Sequence, residues 1–195
     1  MFACSEAGLR EAQEDAFVTT SRCLAVADGM GGYDGGADAA RVAVRAVAGE
    51  LEEDDDLEAA FVWASRQVRE QGGGGTTLVV ARLSVDGLEL HAAIAWVGDS
   101  RAYRIRGGEA ECLTEDHVGS DGGLTRWLPD EPRVDTTDVR LRAGDLLVLL
   151  TDGISAVIED QIADAADAED PAEWLVVQAL EAGSSDNCTA VVCRL

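Results

Sequence analysis

Two kinds of apolar pattern run along the chain. Short β-branched or alternating runs fall at residues 16–20, 23–27, 76–83, 88–97, 102–105, 138–141, 146–150 and 189–193, and each predicts a strand. Asp86-Gly87 between two of these runs predicts a hairpin turn, and so does Arg106-Gly107-Gly108-Glu109. Elsewhere the apolar residues recur at helical spacing: Ala40, Val44, Val47 and Leu51; Leu57, Phe61, Ala64 and Val68; Ala172, Val176, Ala179 and Leu180. Pro171 stands ahead of the third stripe, where a first helical turn accepts it. The triplet Asp54-Asp55-Asp56 suits the solvated start of the second helix better than a metal site.

The predicted order is strands, two helices, a long run of strands, one or two helices and a last strand. Alternating βαβ units are absent, so a doubly wound parallel sheet is not expected. Hairpin-linked strands with segregated helices predict an α+β layered fold. The glycine-rich stretch 71–75 is the one flexible-looking join, and strands follow it at once. A length of 195 residues without internal repeats therefore reads as one domain over 1–195.

Charge changes this picture more than composition does. Thirty-eight acids face fifteen bases, for a formal net charge of −23. Phosphate-backbone binding needs clustered cations, so a nucleic-acid partner is not expected. Every base is Arg; without Lys, a Walker P-loop, a pyridoxal Schiff base and a Ser-Lys dyad are all excluded. No run nears eighteen apolar residues, so no membrane span is expected, and the first ten residues lack the pattern of a signal peptide. Cys4, Cys23, Cys112, Cys188 and Cys193 are odd in number and form no CxxC pair, as suits reduced thiols in a cytoplasmic protein. The pattern is silent on oligomeric state. The acid excess also fits a salty cytoplasm, although genome composition explains the missing Lys equally well.

The positions of certain acids carry chemistry. Val26-Ala27-Asp28-Gly29, Trp96-Val97-Gly98-Asp99 and Leu150-Thr151-Asp152-Gly153 each end an apolar run with an Asp next to glycine. Ser185-Asp186-Asn187 precedes the last strand and Gln13-Glu14-Asp15 the first long one. Acids at strand ends beside glycine point to a shared crevice that backbone approaches closely. Converging carboxylates with no Lys to offset them repel one another unless hard cations lie between them. Oxygen donors suit Mg²⁺, Mn²⁺ or Ca²⁺, whereas zinc would want His or Cys. Only His91 and His117 occur, neither at ligand spacing, so zinc is not expected; His117, Trp96 and Trp127 read as core or packing residues.

Taken in order, these segments resemble the metal-dependent protein phosphatases of type 2C. The similarity lies in Arg10 through Gln13-Glu14-Asp15, Val26-Ala-Asp-Gly-Met-Gly-Gly32, Gly75-Thr-Thr77, Val97-Gly-Asp-Ser-Arg-Ala-Tyr103, Leu113-Thr-Glu-Asp-His117, Gly144-Asp145, Thr151-Asp-Gly153 and Asp186-Asn187. It spans nearly the whole chain. It implies an α/β/β/α four-layer sandwich of two antiparallel sheets flanked by helices. It also implies a protein serine/threonine phosphatase with two Mn²⁺ or Mg²⁺ ions, and a third, looser one as in bacterial members. By this resemblance Asp28 bridges two metals, Asp152 and Asp186 complete one, and Glu14 with the carbonyl of Gly29 holds the other. Asp99 helps to hold the third, Asp15 orients metal-bound water from behind, and Arg10 binds the substrate phosphate. The implied chemistry is direct attack of a metal-bridging water on the phosphate of a phosphoprotein, the product of a Ser/Thr kinase.

Three departures stand out. Met30 occupies the place of a proposed proton-donating His in animal members, which leaves that task to metal-bound water. Tyr33 and Val118 replace the usual residues after Gly-Gly and Asp-His. The family inserts a long flap before Thr125-Arg126-Trp127-Leu128, and here residues 118–124 alone stand there. The shortened flap puts substrate specificity in question and leaves the metal residues in place. It is also the one feature that favours a phosphatase for a small metabolite. A non-catalytic interaction module on the same fold is the other alternative, although such a module should have lost ligands.

Overall fold

A computed structural model describes residues 1–31, 35–87, 89–130 and 132–195. Gly32 and Tyr33 of the second motif, and Leu88 of the strand expected over 88–97, lie outside the described residues. In chain order the elements are β1 (Phe2–Glu6), β2 (Ala16–Thr19), β3 (Cys23–Ala27), β4 (Gly29–Met30), α1 (Gly35–Glu53), α2 (Leu57–Gln71), β5 (Gly75–Thr76), β6 (Leu78–Asp86), β7 (Glu89–Val97), β8 (Arg101–Arg106), β9 (Glu109–Cys112), β10 (Asp135–Leu141), β11 (Leu146–Leu150), α3 (Asp152–Ile158), α4 (Pro171–Glu181) and β12 (Cys188–Arg194). A 3₁₀ segment, Glu159–Asp167, joins α3 to α4.

One sheet runs β1-β12-β11-β8-β9 and the other β10-β7-β6-β3-β2, with every pairing antiparallel. The continuous apolar runs are explained by burial on both faces. In β3, Cys23, Ala25 and Ala27 face α1 and α2, while Leu24 and Val26 face the other sheet. In β11, Leu146, Val148 and Leu150 meet α3 and α4, while Leu147 and Leu149 fill the space between the sheets. The period of two thus feeds three apolar layers, and the expected four-layer α/β/β/α sandwich is the fold observed. Alanines at 39, 40 and 43 are fully buried where α1 meets its sheet, beside the larger Val44, Val47 and Leu51 of the same cluster.

Local chemistry sets the helix ends. Asp56 caps α2, its side chain accepting from Ala59 N at 3.0 Å, while Asp55 accepts from Arg22 and Arg82. Asp170 caps α4 through Ala172 N and Glu173 N, and Pro171 begins that helix as expected. Both hairpins form, pairing Asp86 with Glu89 and Arg106 with Glu109. The expected join is an exposed loop from the end of α2, and strand follows at once where Gly75 packs against Trp127 and pairs through β5 with β4. Leu180 is only half-buried, and Leu175 takes the core position in α4.

Two glycines test this packing with opposite signs. A Cβ on Gly29 would lie 2.3 Å from Gly36 O and 2.6 Å from Glu14 O, both backbone atoms that cannot turn aside. Gly29→Ala should therefore cost about 3 kcal/mol or more, lowering Tm by roughly 6–12 °C. Gly49 sits in α1 with nothing within 4 Å of a Cβ. Gly49→Ala should stabilise by up to ~1 kcal/mol through helix propensity and raise Tm by a few degrees. Thermal melts of both variants check the pair.

Candidate active site

The strand ends converge on one crevice. Asp28 leaves β3 where the chain turns into β4, and its backbone is held from both sides. Asp28 N donates to Thr77 Oγ1 at 3.0 Å, and Thr77 N donates to Asp28 O at 2.9 Å. Asp152 starts α3 at the end of β11, and Asp186 stands just before β12. Asn187 ties the first motif to the last: its amide nitrogen donates to Ala7 O and Ala12 O at 3.0 and 2.9 Å, and its oxygen accepts from Glu14 N at 2.8 Å. Arg10, Glu14, Asp28, Gly29, Asp99, Asp152 and Asp186 all line one cavity of about 360 Å³. Asp15 is buried, with Oδ2 accepting from Thr151 Oγ1 at 2.9 Å.

The electrostatics are those of an anion cluster short of positive charge. Burial, then the charges of Asp15 and Asp152, push Asp28 far above the carboxylate range. Burial also raises Asp152 and Asp15, and it raises Asp99 to about 6 with help from Asp152. The charge of Asp152 adds to the cost of ionising Asp28, so the pair resists carrying two negative charges at once. Asp186 takes Arg10 instead, with Arg10 Nη2 2.5 Å from Asp186 Oδ2 in a pair that is half-exposed.

Among the described residues two buried acceptors find no partner: Asp152 Oδ1 and Asp15 Oδ1. A buried carboxylate oxygen without a donor is costly, and a hard cation is the partner its chemistry fits. The donor set, all oxygen with no thiol or imidazole, matches Mg²⁺ or Mn²⁺. Among the described residues no three acids are gathered into a finished cage, and Arg10 already occupies one oxygen of Asp186. A larger groove of about 680 Å³ over Phe2 and Trp174 lies elsewhere. Donor chemistry rather than size singles out the acidic cavity.

A sequence profile of the protein phosphatase 2C family matches residues 11–186. The chain belongs to this family. The serine/threonine protein phosphatase PstP of Mycobacterium tuberculosis is 30% identical over 96% of this chain, which spans only 43% of that protein's length. The phosphatase MsPP of Mycobacterium smegmatis, solved in complex with cacodylate, superposes with a TM-score of 0.86 at 30% identity, over 99% of this chain and 97% of that one. The catalytic domain of PstP in complex with two manganese ions gives a TM-score of 0.81 at 29% identity, over 97% of this chain and 95% of that one.

Other type 2C motifs here are staples rather than site residues. Arg101 binds Asp116 through Nε and Nη2 at 2.8 and 2.7 Å, joining two motifs. Asp145 is buried and bound by Arg106 at 2.7 and 2.5 Å, which holds its carboxyl below the usual range. Asn187, Thr77 and Thr151 received no role from the sequence, yet they orient Glu14, Asp28 and Asp15. The signal for Thr151 and Asn187 was their place directly beside an acid, whereas Thr77 stood only within its glycine-threonine motif.

Proposed function

We propose that this chain is a metal-dependent protein serine/threonine phosphatase, built as one catalytic domain over residues 1–195. The observation that carries the reading is the convergence of Arg10 on a cavity of half-buried carboxylates, one oxygen of which lacks any donor among the described residues. Asp28, Asp152 and Asp186 would hold one Mn²⁺ or Mg²⁺, and Asp28, Glu14 and the Gly29 carbonyl another, with Asp99 available to a third. The two manganese ions bound by the PstP catalytic domain support this assignment. Such cations supply positive charge against the phosphate and acidify water.

The chain's own groups do the rest. Arg10, on the exposed rim, offers the planar fork of N–H donors that grips two phosphate oxygens. Asp15, fixed by Thr151, would orient metal-bound water from behind the cluster. In hydrolysis a water oxygen bonds to phosphorus, the ester P–O bond breaks, and the departing serine or threonine oxygen takes a proton. Met30 has none to give, so water delivers it. No helix among the described residues is long and apolar enough to cross a membrane. We place the chain in the cytoplasm, where its five unpaired cysteines would stay reduced. The partner is then a phosphoprotein made by a Ser/Thr kinase.

The deciding experiment is hydrolysis of phosphopeptides against a panel of phosphorylated metabolites, with Mn²⁺ and with chelator. Metal-dependent release of phosphate from the peptides is expected. Release from metabolites alone would favour the small-molecule reading, and no release from either would favour a binding module.

The short flap shapes specificity. Residues 118–124 close on themselves through a Val118–Leu124 bridge, and Leu124 alone of them lines the cavity. Few groups are left to contact residues flanking the phosphate, so remote binding energy is small. KM on short phosphopeptides should be high and sequence preference weak. At −23 the surface should favour basic flanks, with a preference that fades as salt is raised. A peptide series with acidic, neutral and basic flanks at two salt concentrations measures this; salt-insensitive discrimination among neutral peptides would contradict it.

A further inference from the structure

His117 looks from sequence like a core histidine, and it is indeed buried and stacked on Trp96, with centroids 6.2 Å apart. Its polar atoms do more than packing requires. The ring Nδ1 accepts from Gly98 N at 3.1 Å, and the backbone N of His117 donates to Gly98 O at 3.0 Å. One residue thus grips both polar groups of the glycine that precedes Asp99. Because Nδ1 accepts, a neutral ring carries its proton on Nε2, which lies 3.1 Å from Asp135 Oδ2. Arg126 Nη1 holds the other oxygen of Asp135 at 3.0 Å and itself lies 3.2 Å from Nε2, so this ring nitrogen sits between an acceptor and a cation.

Gly98 needs this grip. Its φ of 102 is one that other residues rarely adopt, and a Cβ there would lie 2.6 Å from Thr77 Cβ. Thr77 is the residue that holds the Asp28 backbone, and its hydroxyl is 2.7 Å from Ser100 Oγ. On the other side, His117 O accepts from Thr125 N at 2.7 Å, at the foot of the loop that carries Leu124. His117 therefore stands where the Asp99 turn, the Thr77 support of Asp28 and the stem of the short flap meet.

We infer that His117 is a positioning residue: through its two bonds to Gly98 it fixes where the Asp99 carboxylate enters the cavity. This deepens the phosphatase reading and rests on it for the use to which Asp99 is put. The chain needs the Nδ1 acceptor itself and not merely an aromatic ring at 117.

Two substitutions separate acceptor from ring. His117→Asn keeps an acceptor near the Nδ1 position and loses the stack on Trp96; His117→Phe keeps the stack and loses the acceptor. In the metal-free protein, amide exchange at Gly98 should stay slow in His117→Asn and speed up about tenfold or more in His117→Phe, as an unmade buried hydrogen bond dictates. Mn²⁺ titration should show the weakest class of site lost or weakened by a similar factor in His117→Phe alone. Asp135→Ala, a half-exposed change that leaves the ring in place, should speed Gly98 exchange by a smaller factor. It serves as the test if either ring variant does not fold. Slow Gly98 exchange in both His117→Phe and Asp135→Ala, or equal damage in His117→Asn and His117→Phe, would overturn the inference. Neither exchange nor titration depends on phosphate release. If wild type proves inactive on phosphopeptides while these effects hold, the phosphatase reading fails and the positioning role stands.

Discussion

Stripping divalent cations should abolish phosphate release from phosphopeptides, by about 10³-fold or more, and should lower the melting temperature in the same titration. The two effects share one cause. Asp28, Asp99 and Asp152 are half-buried in one cavity, their carboxyls raised by desolvation and by neighbouring acids, and Asp152 Oδ1 has no donor among the described residues. A cation present at a hundred times its Kd adds about 2.7 kcal/mol to stability, which in a chain this long amounts to roughly 5–10 °C. Asp152→Asn should split the two effects. Removing a charge from the crowd should raise the melting temperature of the metal-free chain by a few degrees, while weakening Mn²⁺ binding and hydrolysis. Full activity in excess chelator would end the two-metal reading.

The same carboxyls set a pH signature of unusual sign. A folded-state pKa above the unfolded value means that the native state binds protons more tightly, so stability falls as pH rises through that interval. For Asp99 the interval runs from its ordinary 3.8 to about 6, and Asp28, Asp15 and Asp152 extend the trend in the same direction. Asp145 and Asp135 are lowered by Arg106 and His117 respectively, and they act only below the ordinary 3.8. The metal-free chain should therefore melt at lower temperature as pH is raised from about 4 to about 6, and saturating Mn²⁺ should flatten or reverse the slope. Melting curves across that window, with and without metal, decide it.

Much of this was legible in the chain because burial on both faces of a strand leaves an unbroken apolar run. β3 and β11 were bounded to the residue for that reason. β1, with three of its five residues only half-buried and two exposed, gave no such run, and its strand character comes from pairing with β12 184 residues away at Ser5 and Thr189. The 3₁₀ segment was equally hidden, since its apolar residues are mostly alanines between acids. At the site, Asp28 and Asp152 announced themselves by standing after apolar runs and before glycine, and Asp99 by following one. What sequence could not show is how they share charge. The crowding of charge between Asp28 and Asp152, the grip of Arg10 on Asp186, and the service of Asn187 to Glu14 all depend on distances across the crevice.

That grip determines what loss of Arg10 should do. Arg10→Ala should lower kcat/KM on phosphopeptides by about 10²–10³-fold, because a bidentate, charge-assisted contact to phosphate disappears. Stability should move by less than ~1 kcal/mol, since the Arg10–Asp186 pair is 55% and 37% exposed at its two side chains and water screens it. Metal binding should respond in the opposite direction to catalysis. Arg10 occupies Asp186 Oδ2 at 2.5 Å, and a cation drawn to Asp186 competes with it. Without the guanidinium, Mn²⁺ should bind as tightly as in wild type or a few-fold tighter. Arg10→Lys should restore little activity, because a single ammonium cannot copy the fork of donors. Calorimetric Mn²⁺ titration beside steady-state kinetics gives both quantities on one protein sample. If Arg10→Ala bound Mn²⁺ more weakly, Arg10 would be part of the cation's support, and the division of labour between phosphate gripping and metal holding would have to be redrawn.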